Sequence, residues 1–242
     1  MFRCVSPAAL VLVVLSAGTL NAQTADQLVA KNLEAKGGVE KWKAVNSLRM
    51  TGTISVQGKQ LPLTISSMRP NYMRHEMNLP DLRIVQAFDG KTAWAINPML
   101  GATTPQQLPA EAAETIRTSA EFEGALVDYK AKGHVAELVG TETLGGRNVH
   151  NLKLTLKNGP VQHFYLDAET GLEVRVTQEV ETGPGQKQAL ASEMSNYQPV
   201  SGILIPHTVR QLLDGKVVAE MTISKVEINA IDDPSLFRMP AK

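Results

Sequence analysis

The sequence predicts a mainly β protein: a half-open antiparallel β-barrel of about a dozen strands, with an N-terminal helix and an inserted helical lid. Three observations predict it. Apolar and polar residues alternate with period two through most of the chain from Leu48 onward. Turn residues recur at short spacing between these runs, the pattern of a meandering sheet. Helical spacing occurs in only two places, before Leu48 and between Pro98 and Gly133.

The first 22 residues stand apart from the rest. Arg3 supplies a positive start, "AALVLVVLSAG" an apolar run, and Ala22 a small residue before Gln23, so a secretory signal cleaved near Ala22 is expected, with residues 23–242 forming one domain. The apolar run from Ala8 to Leu15 is shorter than the roughly 20 residues that span a bilayer. Cys4 is the only cysteine and falls in the signal, which leaves no disulfide, thiol catalysis or zinc-thiolate site for the exported chain. With 24 Lys plus Arg against 24 Asp plus Glu, nothing in the charge balance favours nucleic acid.

Thr24 and Gln27 have capping-box spacing, and Leu28, Val29 and Leu33 recur at helical intervals until "KGG" at Lys36 to Gly38. A second short helix is expected from Val39 to Val45, with Trp42 turned inward. Strands then follow at Leu48 to Val56, around Leu61 to Ile65, and at Tyr72 to Asn78, Leu82 to Ala87 and Lys91 to Asn97. After the insert they resume at His134 to Gly140, Asn148 to Lys157, Val161 to Asp167 and Leu172 to Val180. The last three are Lys187 to Tyr197, Ile203 to Leu212 and Lys216 to Ile228. In the insert, Ala113, Ile116 and Ala120, then Phe122, Leu126 and Tyr129, fall at steps of three and four, so one or two short amphipathic helices are expected there.

Hairpin register sharpens the prediction. A three-residue loop of Leu213, Asp214 and Gly215 sets Ile205 and Val209 opposite Ile223 and Ala219, and a Phe88-Asp89-Gly90 loop sets Leu82 and Ile84 opposite Ile96 and Trp94. Each choice gives the sheet one apolar side.

Side-chain chemistry points away from catalysis. "NGPVQHFYLDAETGLEVRV" gathers Asp167, Glu169 and Glu173, but the EF-hand positions that need glycine and glutamate hold Leu172 and Gln178. A turn in which Asp167 caps the loop and Gly171 takes a positive φ explains the stretch. His150 and His163 flank the Asn158-Gly159 turn; a two-residue turn puts His163 opposite Leu154, about 13 Å along the strand from His150, and a one-residue shift puts them on opposite faces. Neither arrangement shares a metal ion. The sequence has no GxSxG elbow, zincin motif or phosphate-cradling loop, so neither an enzyme nor a metal or other cofactor is expected.

The apolar face leaves two readings. One is a closed barrel filled by side chains, with helices plugging its ends. The other is a half-open sheet enclosing a lipid cavity, lined by Met50, Ile54, Leu63, Ile84, Trp94, Ile96, Leu152, Leu154, Ile205, Met221 and Ile223, with Ile116, Phe122, Leu126 and Tyr129 on the lid. Methionines at 50, 73, 77, 99, 194 and 221 suit a soft lining.

Several stretches together carry a resemblance: "LVAKNLEAKGGVEKWKAVNSLRMTGTI", "FDGKTAWAINPM", "GTETLGGRNVHNLKLTLKNGPVQHFYLDAETGLEVRV", "NYQPVSGILIPHTVR" and "SLFRMP". The chain resembles the periplasmic LolA/LolB-like family of outer-membrane lipoprotein-sorting proteins. The resemblance implies an incomplete barrel with a helical lid whose concave face binds acyl chains of lipoproteins or other lipids. It also implies a periplasmic carrier, partners in an inner-membrane releasing complex and an outer-membrane acceptor, and an arginine on an early strand that holds the lid. Arg74 and Arg83 are the candidates for that arginine. Relatives also include lipid-responsive envelope sensors and interaction modules with no transport role.

Overall fold

Residues 24–79, 82–183 and 185–240 are described by this computed structural model; the expected signal, residues 1–22, lies outside them. Helix α1 (Ala25–Ala35) starts as its sequence predicts: Gln27 N–H donates to Thr24 Oγ1 at 3.2 Å and Thr24 N–H to Gln27 Oε1 at 2.9 Å. It stops at Gly37, whose φ of 112° no side chain tolerates well. A Cβ on Gly37 would also meet the Gly202 carbonyl oxygen at 2.4 Å. The glycine therefore both ends the helix and lets it lie against the β11–β12 turn defined below. Helix α2 spans Val39–Lys43.

Thirteen strands follow: β1 (Ser47–Val56), β2 (Lys59–Met68), β3 (Tyr72–Leu79), β4 (Leu82–Asp89), β5 (Ala93–Asn97), β6 (Ala102–Gln107), β7 (Val135–Leu144), β8 (Arg147–Thr155), β9 (Val161–Asp167), β10 (Glu173–Gly183), β11 (Gln186–Val200), β12 (Ile203–Leu213) and β13 (Lys216–Ile228). They form one antiparallel sheet in the order β6-β5-β4-β3-β2-β1-β13-β12-β11-β10-β9-β8-β7. Its ends, β6 and β7, do not pair with each other among the described residues, so the barrel is open.

Helix α3 (Ala110–Ser119) shows that the sheet curls. It packs on β4 and β5, yet it shares a cleft with Gln162 of β9 and Gln178 of β10. In a flat sheet β4 and β9 would be about 38 Å apart, at about 4.8 Å per strand. A helix about 10 Å across reaches both only if the sheet bends round it.

The insert keeps one helix, within the one or two expected, and adds a strand. It holds a 3-10 turn at Pro98–Leu100, the strand β6, the single helix α3, and turns from residue 120 to 133. Pro98 and the left-handed Gly101 (φ 82°) reverse the chain so that residues 102–107 lie back along β5. Past α3, Gly124 and Asp128 take φ of 74° and 49°, which no right-handed helix accommodates. The helical spacing of Phe122, Leu126 and Tyr129 is therefore realised in a folded loop.

Both hairpin registers also differ. Leu213 pairs with Lys216 around a two-residue Asp214-Gly215 turn with φ of 46° and 77°, the type I′ geometry that matches strand twist. A bulge at Val218 then restores parity, so Val209 faces Met221 and the apolar side survives. In the β4–β5 hairpin, Phe88 pairs with Ala93 across four residues, because Asp89 Oδ1 accepts the Lys91 and Thr92 amides at 3.0 and 2.6 Å. This odd shift turns Trp94 and Ile96 to the opposite face.

Three apolar clusters lie on the inner face. One packs α1 and the 120–133 loop on β8 and β9, through Leu28, Leu33, Leu126, Leu152, Leu154 and Phe164. A second sets Ile116 and Ala120 of α3 and its flank on Met73, Phe88 and Ala93. A third joins Val45, Leu48, Ile203 and Ile205, with Trp42 and Phe122 against them.

Candidate functional site

Strand alternation places two different surfaces on the curled sheet. The register runs from Met77 through Leu63 to Gly52 and Ile223, so those positions share the inner face with Met50, Ile54, Ile65, Ile84, Val209 and Met221. Leu63, Ile205 and Ile223 are buried there, while Met50, Ile54, Ile84 and Met221 are only half-buried. The inner face is filled on the β7–β9 side, where Leu152 and Leu154 lie under α1 at 0% exposure. On the central strands it remains a partly open apolar trough. The inner face is thus packed on one side of the sheet and only half-buried on the other.

Five of the expected lining methionines, Met50, Met73, Met77, Met194 and Met221, lie on this inner face. Met99 does not: it is 74% exposed on the turn after β5.

Away from the central strands, α3 and the ends of β9 and β10 bound a cleft of about 790 Å³. Its walls include Glu111, Thr115 and Ser119 of α3, Asn158 and Pro160 of the β8–β9 turn, and Gln162, Gln178 and Val180. Sequence reading missed these residues, because α3 and β9–β10 are brought together only by the curl. Glu114 on the same helix is held below the usual carboxylate range by its hydrogen bond to Arg117.

Trp94 and Ile96 leave the expected lining. They lie on the outer face with Val85 and Ala87, under the C-terminal segment. There the carbonyl of Phe237 accepts from Trp94 Nε1 at 2.8 Å, the Phe237 ring stacks on Tyr72 at 5.4 Å, and Phe237 is fully buried.

Arg74 and Arg83 do not reach the lid, because strand alternation turns both to the outer face. Arg74 lies on the outer face, donating to Glu76 Oε2 at 2.8 Å and to the Leu236 carbonyl at 3.1 Å, with its guanidinium 5.4 Å from the Trp94 ring centre. Arg83 donates to Glu76 Oε1 at 2.9 Å. Burial pushes the Glu76 carboxyl up, but its bonds from Arg74 and Arg83 outweigh that and hold it below the usual range.

The arginine that grips the loop is Arg69, just past β2. It donates to Glu123 Oε1 at 2.6 Å, to the Val45 carbonyl at 2.7 Å and to the Trp42 carbonyl at 2.9 Å, and lies 5.0 Å from the Phe122 ring centre. Sequence pattern gave no signal for it, since its partners lie in α2, the segment after α2 and the 120–133 loop. The four expected lid residues also disperse: Ile116 covers Met73 and Phe88, Phe122 sits by α2, and Leu126 and Tyr129 pack against α1. Tyr129 donates to Asp26, which also accepts from Lys130 at 2.6 Å.

The polar cluster of the "DAETG" loop is a turn. Asp167 Oδ1 accepts from the Glu169 and Thr170 amides at 3.0 and 2.8 Å, and Gly171 has φ 77°. His163 pairs with Lys153 and His150 with Leu166, which puts the two histidines on opposite faces. Among the described residues no group of three His, Cys, Asp or Glu is placed to hold a metal ion.

No protein-family model matches the sequence, and no curated protein does. Solved structures do match. A LolA superfamily protein from Nitrosomonas europaea aligns over 90% of this chain and 98% of its own, with a TM-score of 0.58 and 13% identity. The fold is LolA-like. A putative outer membrane lipoprotein-sorting protein domain from Vibrio parahaemolyticus covers 86% of this chain and 97% of its own, with a TM-score of 0.55 and 13% identity. A DUF1329 family protein from Desulfovibrio piger aligns over 90% and 98%, with a TM-score of 0.59 and 11% identity.

Proposed function

We propose that this chain is a periplasmic carrier that binds acyl chains of lipoproteins or other lipids in its concave trough and moves them toward the outer membrane. The observation that carries the reading is the half-buried apolar inner face of the central strands. An acyl chain in water costs about 0.8 kcal/mol per exposed methylene, so a carrier must offer apolar surface in place of the membrane. Methionine side chains along that surface supply a lining that adapts to more than one chain shape. The LolA-like fold of a lipoprotein-sorting relative supports the same reading. In this reading residues 23–242 act as one binding unit, exported by the signal before them, with no catalytic step; an inner-membrane releasing complex would load it and an outer-membrane acceptor unload it.

Native mass spectrometry of the protein purified from a periplasm, followed by lipid extraction, tests the proposal. Acyl species in defined stoichiometry, passing to acceptor vesicles, are the expected result. Bound lipid with no transfer would favour the lipid-responsive sensor module. A mass without lipid, together with no uptake of fluorescent acyl probes, would overturn lipid binding itself.

A further inference from the structure

The wall of the trough formed by β3, β4 and β5 is not uniformly apolar. His75 of β3 pairs directly with Gln86 of β4, and both face inward between apolar rows: Met73, Phe88 and Ala93 on one side, Met77 and Ile84 on the other. Directly paired side chains start about 5 Å apart, so the two lie within the span of one small polar group.

Neither is satisfied by the protein: His75 is half-buried and Gln86 exposed, and no described residue donates to or accepts from either side chain. Polar groups under an apolar cover are nearly always hydrogen-bonded, and leaving them unpaired is costly. A bare hydrocarbon laid along this wall would cover His75 and Gln86 and give them nothing. A ligand with a carbonyl at this depth would accept from the imidazole N–H and the Gln86 amide.

We infer that His75 and Gln86 form a polar station that binds the carbonyl linkage, ester or amide, of an acylated ligand. The inference rests on the lipid-binding reading above and narrows its ligand class: the trough selects chains by their linkage as well as their length. Burial pushes the His75 imidazole down to about 4, so at neutral pH the ring is uncharged. It then suits a neutral linkage better than a free carboxylate, which an imidazolium would favour.

Displacement of the dye N-phenyl-1-naphthylamine from the purified protein by three matched ligands tests this: methyl dodecanoate, N-methyldodecanamide and methyl dodecyl ether. The wild type should bind the ester and the amide at least ten-fold tighter than the ether. In His75→Leu the ether should bind as well or better, while the carbonyl advantage falls to about two-fold. Gln86→Leu, at an exposed position, should halve that advantage on a logarithmic scale, and it decides the matter if His75→Leu fails to fold. Equal affinity of the wild type for ether and carbonyl ligands, or an equal loss of all three in Gln86→Leu, would overturn the station while leaving lipid binding intact. Failure of every ligand to displace a bound dye would sink both.

Discussion

Arg69 Nη1 donates to Glu123 Oε1 at 2.6 Å across 54 residues of sequence, joining the end of β2 to the loop that fills the sheet. The same guanidinium holds the carbonyls of Trp42 and Val45, so one side chain ties three segments together. Arg69→Ala is expected to cost about 2 kcal/mol, in the range of charged hydrogen bonds lost from partly buried sites. It should also raise amide exchange at Leu126 and Val127. Arg69→Lys should recover only part of this, because a single ammonium cannot fork to three acceptors. Unchanged exchange in Arg69→Ala would show that the loop is held by its apolar contacts alone.

The C-terminal segment predicts a separation of stability from binding. Phe237 is fully buried against Tyr72 on the outer face, with Trp94 bonded to its carbonyl. Phe237→Ala should destabilise the protein by about 3–5 kcal/mol, read as a shift in urea midpoint. Probe affinity of the folded fraction should not change, since the inner face is untouched. A variant of normal stability with weakened binding would contradict this division of the two faces.

The two halves of the inner face should respond differently to substitution. Met221→Asp, at a half-buried position of the trough, is expected to lower acyl-probe affinity ten-fold or more with a modest change in thermal midpoint. Leu152→Ala, beneath α1 at 0% exposure, should cost about 2–5 kcal/mol and leave affinity near the wild-type value. Reversed outcomes would move the ligand to the β7–β9 side.

Stability should also fall with acid through His75. Burial lowers its folded-state pKa from 6.5 to about 4, so the unfolded chain takes up the proton first as pH drops. This contribution is fully present above about 6.5 and is lost as pH falls toward 4. Its size is at most about 3 kcal/mol, an upper bound because the ring keeps some contact with water. His75→Leu should flatten that part of the pH–stability curve; an unaltered slope would mean that the ring is solvated.

Much of the fold was legible because local rules governed it. Thr24 and Gln27 predicted a capping box, and the Asp167 loop a turn; both needed only residues within a few positions of one another. Alternation placed Met50, Ile54, Leu63, Met221 and Ile223 on one face because a strand reverses its side chains at every step. The same rule failed at Trp94, where the Asp89 side chain enlarged the turn to four residues. A shift of odd size sends a whole strand's side chains through the sheet. At Val218 a bulge cancelled such a shift, and the inward face survived although the turn was different.

By itself, then, the sequence determined twelve of the thirteen strands, the apolar inner face of the central strands and the start of α1, since these follow from periodicity and from contacts three or four residues long. The tertiary structure alone decided what closes over that face. Curling brings α3 and β10 to one cleft, long-range packing carries Arg69 to Glu123, and the C-terminal segment brings the carbonyl of Leu236 to Arg74, 162 residues away. Pairings over such distances depend on the summed twist and register of every strand between them, and no local pattern in the chain encodes that sum.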